Sequence, residues 1–313
     1  MAAALALGER GRGRTGSNPN VGCIVTRTGR LIARGWTQPG GRPHAEAHAL
    51  SRIEGSLERA TVYVTLEPCV HESERGPACA DLLVAARPAH VVIAAHDADP
   101  RTEGKGIARL QDAGIAVTHG VMAAEAHRGM AGFFTRQRHG RPHVTLKLAT
   151  SLDGRIACAD GSSRWITGEP ARRHAHGLRA RSDAILVGGG TLRADEPSLD
   201  VRLDGLEERS PERLVLTRGD APDGWTAIDQ PEAIASLPAN WLLVEGGAET
   251  AAAFLRADMV DRLILYRAPI LIGDGRAALG DIGLGALADA HGRWSLADTR
   301  MLGSDRLDVY ERH

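Results

Sequence analysis

An α/β protein of two domains is what this sequence predicts, and three observations predict it. The chain has 313 residues, enough for two domains that each bury their own core. Runs with strand character alternate with runs of helical periodicity in both halves, the order that builds layered α/β folds. Between the halves, Gln137-Arg138-His139-Gly140-Arg141-Pro142 is polar, basic and broken by Gly and Pro, as linkers are. The expected domains are therefore residues 1–139 and 140–313.

Composition narrows the function classes. Hydrophobic residues make up 43% and charged residues 25%, as in globular proteins of the aqueous phase. A net charge of −1 supplies no bulk attraction to nucleic acid or an anionic membrane, and 4% aromatic residues leave few platforms for stacking bases. No nucleic-acid partner and no membrane are expected. Four cysteines, two of them assigned below to a metal, fit a reducing cytoplasm better than a disulfide framework. Residues 1–7 are apolar without a basic stretch before them, so they read as a short amphipathic helix and not as a signal peptide.

In the first half, Gly11-Arg12-Gly13-Arg14-Thr15-Gly16 fits GxGxxG, but it follows a helical stretch and precedes a strand, so it is a loop. Asn18 and Asn20 stand just before two strand-like runs, residues 21–26 and 31–36, joined by a turn at Thr28-Gly29. They are turn residues or amides that read a substrate ring. The chemistry concentrates between His44 and Cys79. His44-Ala45-Glu46 opens a helical stretch after Pro43, Cys69 follows Pro68 beyond the strand-like run Ala60–Leu66, and Cys79 begins the helical run Cys79–Ala86. One imidazole and two thiolates fill three corners of a zinc tetrahedron and leave the fourth for water. A carboxylate two residues after the imidazole, Glu46, then serves as the proton carrier. Nine residues separate the cysteines where the compact signature has two, so His71 competes with Cys79 as third ligand. Beyond the metal stretch, residues 90–96 and 115–119 read as strands around a helix at 106–113.

In the second half, residues 143–149 form a strand candidate, residues 151–155 a turn, and residues 170–180 a basic helix. The buried run 184–187 passes into Gly188-Gly189-Gly190-Thr191, and the run 241–244 into Glu245-Gly246-Gly247-Ala248-Glu249-Thr250. Glycines at the C-terminal end of a buried strand let backbone N–H groups approach phosphate, although either one alone could be a simple turn. Two of them with arginines between suggest a cleft for a phosphorylated substrate and a dinucleotide. Residues 262–272 and 306–312 read as further strands.

Across nearly the whole chain these motifs resemble the bifunctional deaminase–reductases of riboflavin biosynthesis. The resemblance rests on Asn18-Pro19-Asn20-Val21-Gly22-Cys23, His44-Ala45-Glu46, Thr65-Leu66-Glu67-Pro68-Cys69 and Pro77-Ala78-Cys79. In the second half it rests on Lys147-Leu148-Ala149, Ser151-Leu152-Asp153-Gly154-Arg155, Trp165-Ile166-Thr167, Gly190-Thr191, Asp195-Glu196-Pro197 and Val244-Glu245-Gly246-Gly247. It implies a cytidine-deaminase-like three-layer domain followed by a dihydrofolate-reductase-like domain. The first would hydrolyse the 2-amino group of a diaminopyrimidinone ribosyl phosphate with Zn²⁺ on His44, Cys69 and Cys79. The second would use NADPH to reduce the opened ribose to ribityl. Ser163, Arg179, Leu199, Arg202 and Glu245 match its substrate positions. Ala149, Trp165, Thr191, Asp195 and the loop Gly247, Ala248, Glu249 and Thr250 match its cofactor positions. Members often self-associate, so a homo-oligomer is expected. Only 27 residues, 218–244, separate Thr217 from Glu245, fewer than the family usually has. An enzyme that only deaminates is therefore one alternative, and a zinc-stabilised binding protein without turnover is another.

Overall fold

In this computed structural model the chain divides into two compact units, Met1–Gly140 and Arg141–His313. The structure describes residues 1–71 and 74–313.

The first unit runs α1 (Ala2–Gly8), β1 (Gly22–Arg27), β2 (Arg30–Trp36), α2 (Ala45–Leu50), β3 (Ala60–Leu66), α3 (Cys79–Ala86), β4 (His90–Ala95), α4 (Lys105–Asp112), β5 (Ala116–His119), α5 (Ala123–Gly129) and α6 (Ala131–His139). Its sheet has the order β2-β1-β3-β4-β5, antiparallel through β3 and parallel beyond it. Thr28 and Gly29 both have positive φ, 49° and 78°, which matches the twist of a tight hairpin and closes β1 onto β2. Gly22 and Gly35 let helices approach opposite faces of this hairpin. A Cβ on Gly22 would collide with the Ala4 carbonyl of α1, and one on Gly35 with the Ala45 carbonyl of α2. Helices on both faces make three layers. β4 lies between parallel neighbours, which explains its unbroken apolar run Val91-Val92-Ile93-Ala94-Ala95. The segment ahead of the linker, to which the sequence assigned no element, forms α5 and α6. They are short helices broken at Met130, and Phe133 and Phe134 anchor them in the core.

The second unit contains β6 (His143–Thr150), β7 (Arg155–Cys158), α7 (Glu169–Arg179), β8 (Ala184–Gly188), α8 (Gly189–Asp195), β9 (Glu212–Leu216), β10 (Thr226–Ile228), β11 (Trp241–Val244), α9 (Ala248–Arg256), β12 (Arg262–Arg267), β13 (Gly275–Ala277), β14 (Trp294–Leu302) and β15 (Asp305–Arg312). An eight-stranded sheet takes the order β10-β9-β8-β11-β6-β12-β15-β14, and β7 pairs with β13. The six strands from β10 to β12 are parallel, so their C-terminal ends share one edge. Phe254 is fully buried beneath α9, and burial of such a side chain contributes about 1.5–3 kcal/mol.

One expected bound changes, and two further segments take shape. The strand expected over residues 262–272 stops at Arg267, because Pro269 has no N–H for the ladder. The glycines after β8 pass straight into a helix, α8, which starts at Gly189. β14, rich in Asp, Thr and Arg, is a strand because it is the exposed edge, closed onto β15 by a turn at Gly303 (φ 67°). The short segment after Thr217 crosses from β10 to β11 with a single 3₁₀ helix, Pro231–Ser236.

Candidate functional site

Three element ends meet in the first unit. His44 caps the N-terminus of α2, Cys69 follows β3, and Cys79 is the first residue of α3. His44 Nδ1 lies 3.6 Å from Cys69 Sγ and 3.3 Å from Cys79 Sγ, and the Cys79 N–H donates to Cys69 Sγ at 3.4 Å. Tetrahedral zinc, with Zn–N of about 2.0 Å and Zn–S of about 2.3 Å, sets N···S edges near 3.5 Å. Both edges from His44 already have that size, and all three donor atoms lie within 4.8 Å of one another, so the residues fit the ion. Among the described residues His44, Cys69 and Cys79 are the group able to hold a metal. His71 lies outside it, with Nδ1 3.4 Å from Thr102 Oγ1.

The electrostatics suit a set of metal ligands. The Cys79 thiol, then His44, draw the Cys69 thiol down to about 4. Cys69 and burial push the Cys79 thiol well up in turn. Glu46, in the first turn of α2, is 3% exposed, and burial pushes its carboxyl up to about 7. His44 pulls the other way and Cys69 reinforces the rise. A carboxyl balanced near neutrality can both take and give a proton.

Glu67, one residue before Pro68, supports this corner. Its buried carboxylate accepts N–H groups from Asp97 (3.3 Å), Gly104 (3.1 Å), Gly106 (2.9 Å) and Ile107 (3.1 Å), tying α4 to the Cys69 loop. The amides upstream are largely engaged with backbone. Asn20 Nδ2 donates to the Gly129 carbonyl at 3.1 Å, and Asn18 Nδ2 to the Thr15 carbonyl at 3.4 Å.

In the second unit β8 and β11 are neighbours, so their two glycine-rich ends lie side by side. A Cβ on Gly188 or on Gly246 would collide with Thr250, which is buried between them. Gly247 caps α9, and a Cβ there would sit 3.3 Å from Thr191 Oγ1 at the start of α8. Thr191, Gly247, Ala248 and Glu249 thus share one corner, while the Thr250 side chain is spent on packing. The loop before α7 carries Ser163 and Trp165. Arg164 Nη2 donates to the Asp195 carbonyl at 2.9 Å, and the Trp165 ring is 66% exposed with Arg172 4.8 Å above it. Ala149 lies near the end of β6, paired with Tyr266.

Beside this corner is a buried charge cluster. Arg179 holds Glu245 with two hydrogen bonds, 2.8 and 3.0 Å, and Lys147 Nζ approaches the same carboxylate at 3.6 Å. Burial alone would raise the Glu245 carboxyl, but Lys147 and Arg179 outweigh it and hold it at about 2. Arg179 also donates to the Asp200 carbonyl at 3.0 Å, and the Arg202 N–H donates to His176 Nδ1 at 3.2 Å. Leu199, with φ 54°, buries its side chain against Ile185, Val187 and Leu243, so only its backbone is free for a ligand. Sequence reasoning named Lys147 within a family motif but gave it no site role, and it did not single out His176, which accepts from the Arg202 N–H. A lysine inside the otherwise apolar strand β6 was the available signal for a site role of Lys147.

Comparison with known proteins agrees with both regions. Residues 1–95 match the zinc-binding region of cytidine and deoxycytidylate deaminases, and residues 142–307 match the RibD C-terminal domain. The riboflavin biosynthesis protein RibD of Escherichia coli is 39% identical, with 97% of this chain and 96% of that one aligned. Its counterpart from Mycobacterium tuberculosis is 41% identical over 95% of this chain and 91% of that one. Among solved structures, a RibD of Acinetobacter baumannii covers 100% of this chain and 98% of its own at 34% identity, with a TM-score of 0.89. A diaminohydroxyphosphoribosylaminopyrimidine deaminase/5-amino-6-(5-phosphoribosylamino)uracil reductase of Thermotoga maritima, 29% identical, covers 100% and 97% with a TM-score of 0.91. The shared architecture, the His-Cys-Cys cluster and identities of this size over nearly full length place the chain in the RibD family of riboflavin biosynthesis, which joins a zinc-dependent deaminase to an NADPH-dependent reductase.

Proposed function

We propose that His44, Cys69 and Cys79 hold the zinc, that Glu46 carries protons in the deamination, and that the β8/β11 corner takes NADPH beside the Lys147–Glu245–Arg179 cluster. The observation that carries the reading is the His-Cys-Cys triangle, both of its cysteines buried, with the buried Glu46 carboxyl beside it. Zinc bound there supplies Lewis acidity for water attack on a ring carbon. Glu46 takes a proton from the attacking water, gives it to the ring nitrogen, and helps the amine depart as ammonia. The balance is one water consumed, one amino group replaced by a carbonyl oxygen and one ammonia released. A closed structural zinc site has no use for such a carboxyl, which argues against a binding protein without turnover.

In the second unit the reaction adds a hydride from NADPH and a proton to the opened ribose carbonyl. Arg179 and Arg202 offer guanidinium groups to the substrate phosphate, the fork geometry that suits such anions. Glu245 stays ionised, fixing Arg179 and Lys147 in place. Ser163 and Leu199 border the substrate, and Trp165, Asp195 and Ala149 border the nicotinamide end. The short crossover after Thr217 leaves these residues assembled, which supports an active reductase over an enzyme that only deaminates.

The substrate is then the diaminopyrimidinone ribosyl 5′-phosphate, with no nucleic-acid partner and a cytoplasmic location. All four cysteines are free, as a reducing compartment would keep them. Among the described residues no helix is long and apolar enough to cross a membrane. A homo-oligomer is part of the proposal, and Leu271, Leu287 and Met301 supply exposed apolar surface for it. The test supplies zinc-loaded protein with that substrate and follows ammonia and NADPH separately. Release of ammonia together with NADPH oxidation is expected. Ammonia alone would remove the reductase half of the proposal, and no ammonia would remove its core.

A further inference from the structure

Resting on the NADPH reading above, the geometry points to Arg193 and Arg213 as the pair that selects NADPH over NADH by taking its 2′-phosphate. A cavity of about 850 Å³ opens in the second unit, walled by Gly189 and Arg193 of α8, Arg213 of β9, and Thr217 and Trp225 beyond it. Its volume lies in the range of nucleotide-sized pockets, about 300–1,000 Å³. Helix α8 links it to the corner where Thr191 meets Gly247: Gly189 lines the cavity, and Thr191 lies in the same first turn. A dinucleotide with its pyrophosphate at that corner reaches the cavity with its adenosine half.

The two guanidinium groups are placed to read what arrives. Arg193 folds back over the end of β8, where Gly189 makes room: a Cβ there would lie 3.2 Å from Arg193 Nη1 and 3.5 Å from Thr217 Oγ1. Arg213 lies 5.4 Å above the Trp225 ring. Neither arginine has a carboxylate partner among the described residues, although Glu196 and Asp220 also line the cavity. Other arginines near the cleft each lie against a carboxylate: Arg179 against Glu245, Arg164 against Asp195 and Arg202 against Asp200. Two unpaired guanidiniums in a nucleotide-sized cavity match the one group by which NADPH differs from NADH, a phosphate on the adenosine ribose. Trp225 comes from the segment after Thr217, so this shortened stretch still builds the cofactor side.

The experiment measures dissociation constants by calorimetry for NADPH, NADH, 2′,5′-ADP and 5′-AMP, on wild type, Arg193→Gln, Arg193→Lys and the Arg193→Gln/Arg213→Gln double variant. Melting curves confirm that each variant folds. Arg193→Gln should weaken NADPH and 2′,5′-ADP about 10–100-fold, the worth of a charge-assisted hydrogen bond, while NADH and 5′-AMP stay within about twofold. Arg193→Lys should keep part of the affinity, and the double variant should bind NADPH and NADH alike. Equal losses for both cofactors, or none for either, would overturn the assignment and leave the reductase reading standing. Wild-type protein that binds no NADPH would overturn both.

Discussion

The metal triangle of the first unit and the strand-end cleft of the second solve different problems. His44, Cys69 and Cys79 come from one 36-residue stretch and are held by two helix ends and a strand end. His44 Nδ1 stands at zinc-binding separations from both sulfurs, and a carboxylate ties α4 to the ligand loop. The cleft draws on residues from Lys147 to Thr250, and several of its groups are exposed, Trp165 most of all. Its fixed part is the Glu245 cluster; the remainder presents backbone and arginines to a large ligand. The contrast follows from the ligands. A small ion needs a few atoms at short, fixed distances, whereas a dinucleotide is read by contacts spread along one sheet edge.

Removing the metal breaks the comparison most sharply. A chelator should take ammonia release to background and leave NADPH affinity unchanged, as calorimetry would record. Glu46→Gln comes next, with ammonia release falling about 10²–10⁴-fold at unaltered zinc content, measured by steady-state assay and metal analysis. Loss of zinc on this substitution would instead make Glu46 a structural residue.

The Glu245 cluster is the counterpart in the second unit. Glu245→Ala leaves Arg179 and Lys147 without their buried carboxylate and should cost about 3–5 kcal/mol by denaturant titration. Because the Glu245 carboxyl is held at about 2, below its ordinary 4.5, its stabilisation is complete above the ordinary value. It is lost as pH falls from there towards about 2. Acid titrations of wild type and Glu245→Gln should differ in slope only in that window. Gly188→Ala should have the smallest effect, about 1–3 kcal/mol, as its Cβ is driven against Thr250.

The metal site was legible in the sequence because every part of it is local. The strand Ala60–Leu66 and the helix Cys79–Ala86 occur with the bounds expected from their residues, and those ends carry the ligands. The family motif favoured Cys79 over His71 as third ligand, and the structure groups Cys79 with His44 and Cys69. The second unit was less legible for two reasons. Its ion cluster joins Lys147, Arg179 and Glu245 across distant strands, a pairing no periodicity encodes. Its edge strand β14 is polar on a surface where burial imposes no alternation. Asn20 illustrates the limit of motifs: its amide nitrogen holds the Gly129 carbonyl, a contact 109 residues along the chain.

The central claim, two independent sites on one chain, is tested most directly with Glu46→Gln protein given the deaminated substrate, 5-amino-6-(5-phosphoribosylamino)uracil. The account predicts NADPH oxidation at the wild-type rate, and none when the same variant is given the diamino precursor. If the variant fails to oxidise NADPH with the deaminated substrate while wild type succeeds, the two sites are not independent and the account is wrong.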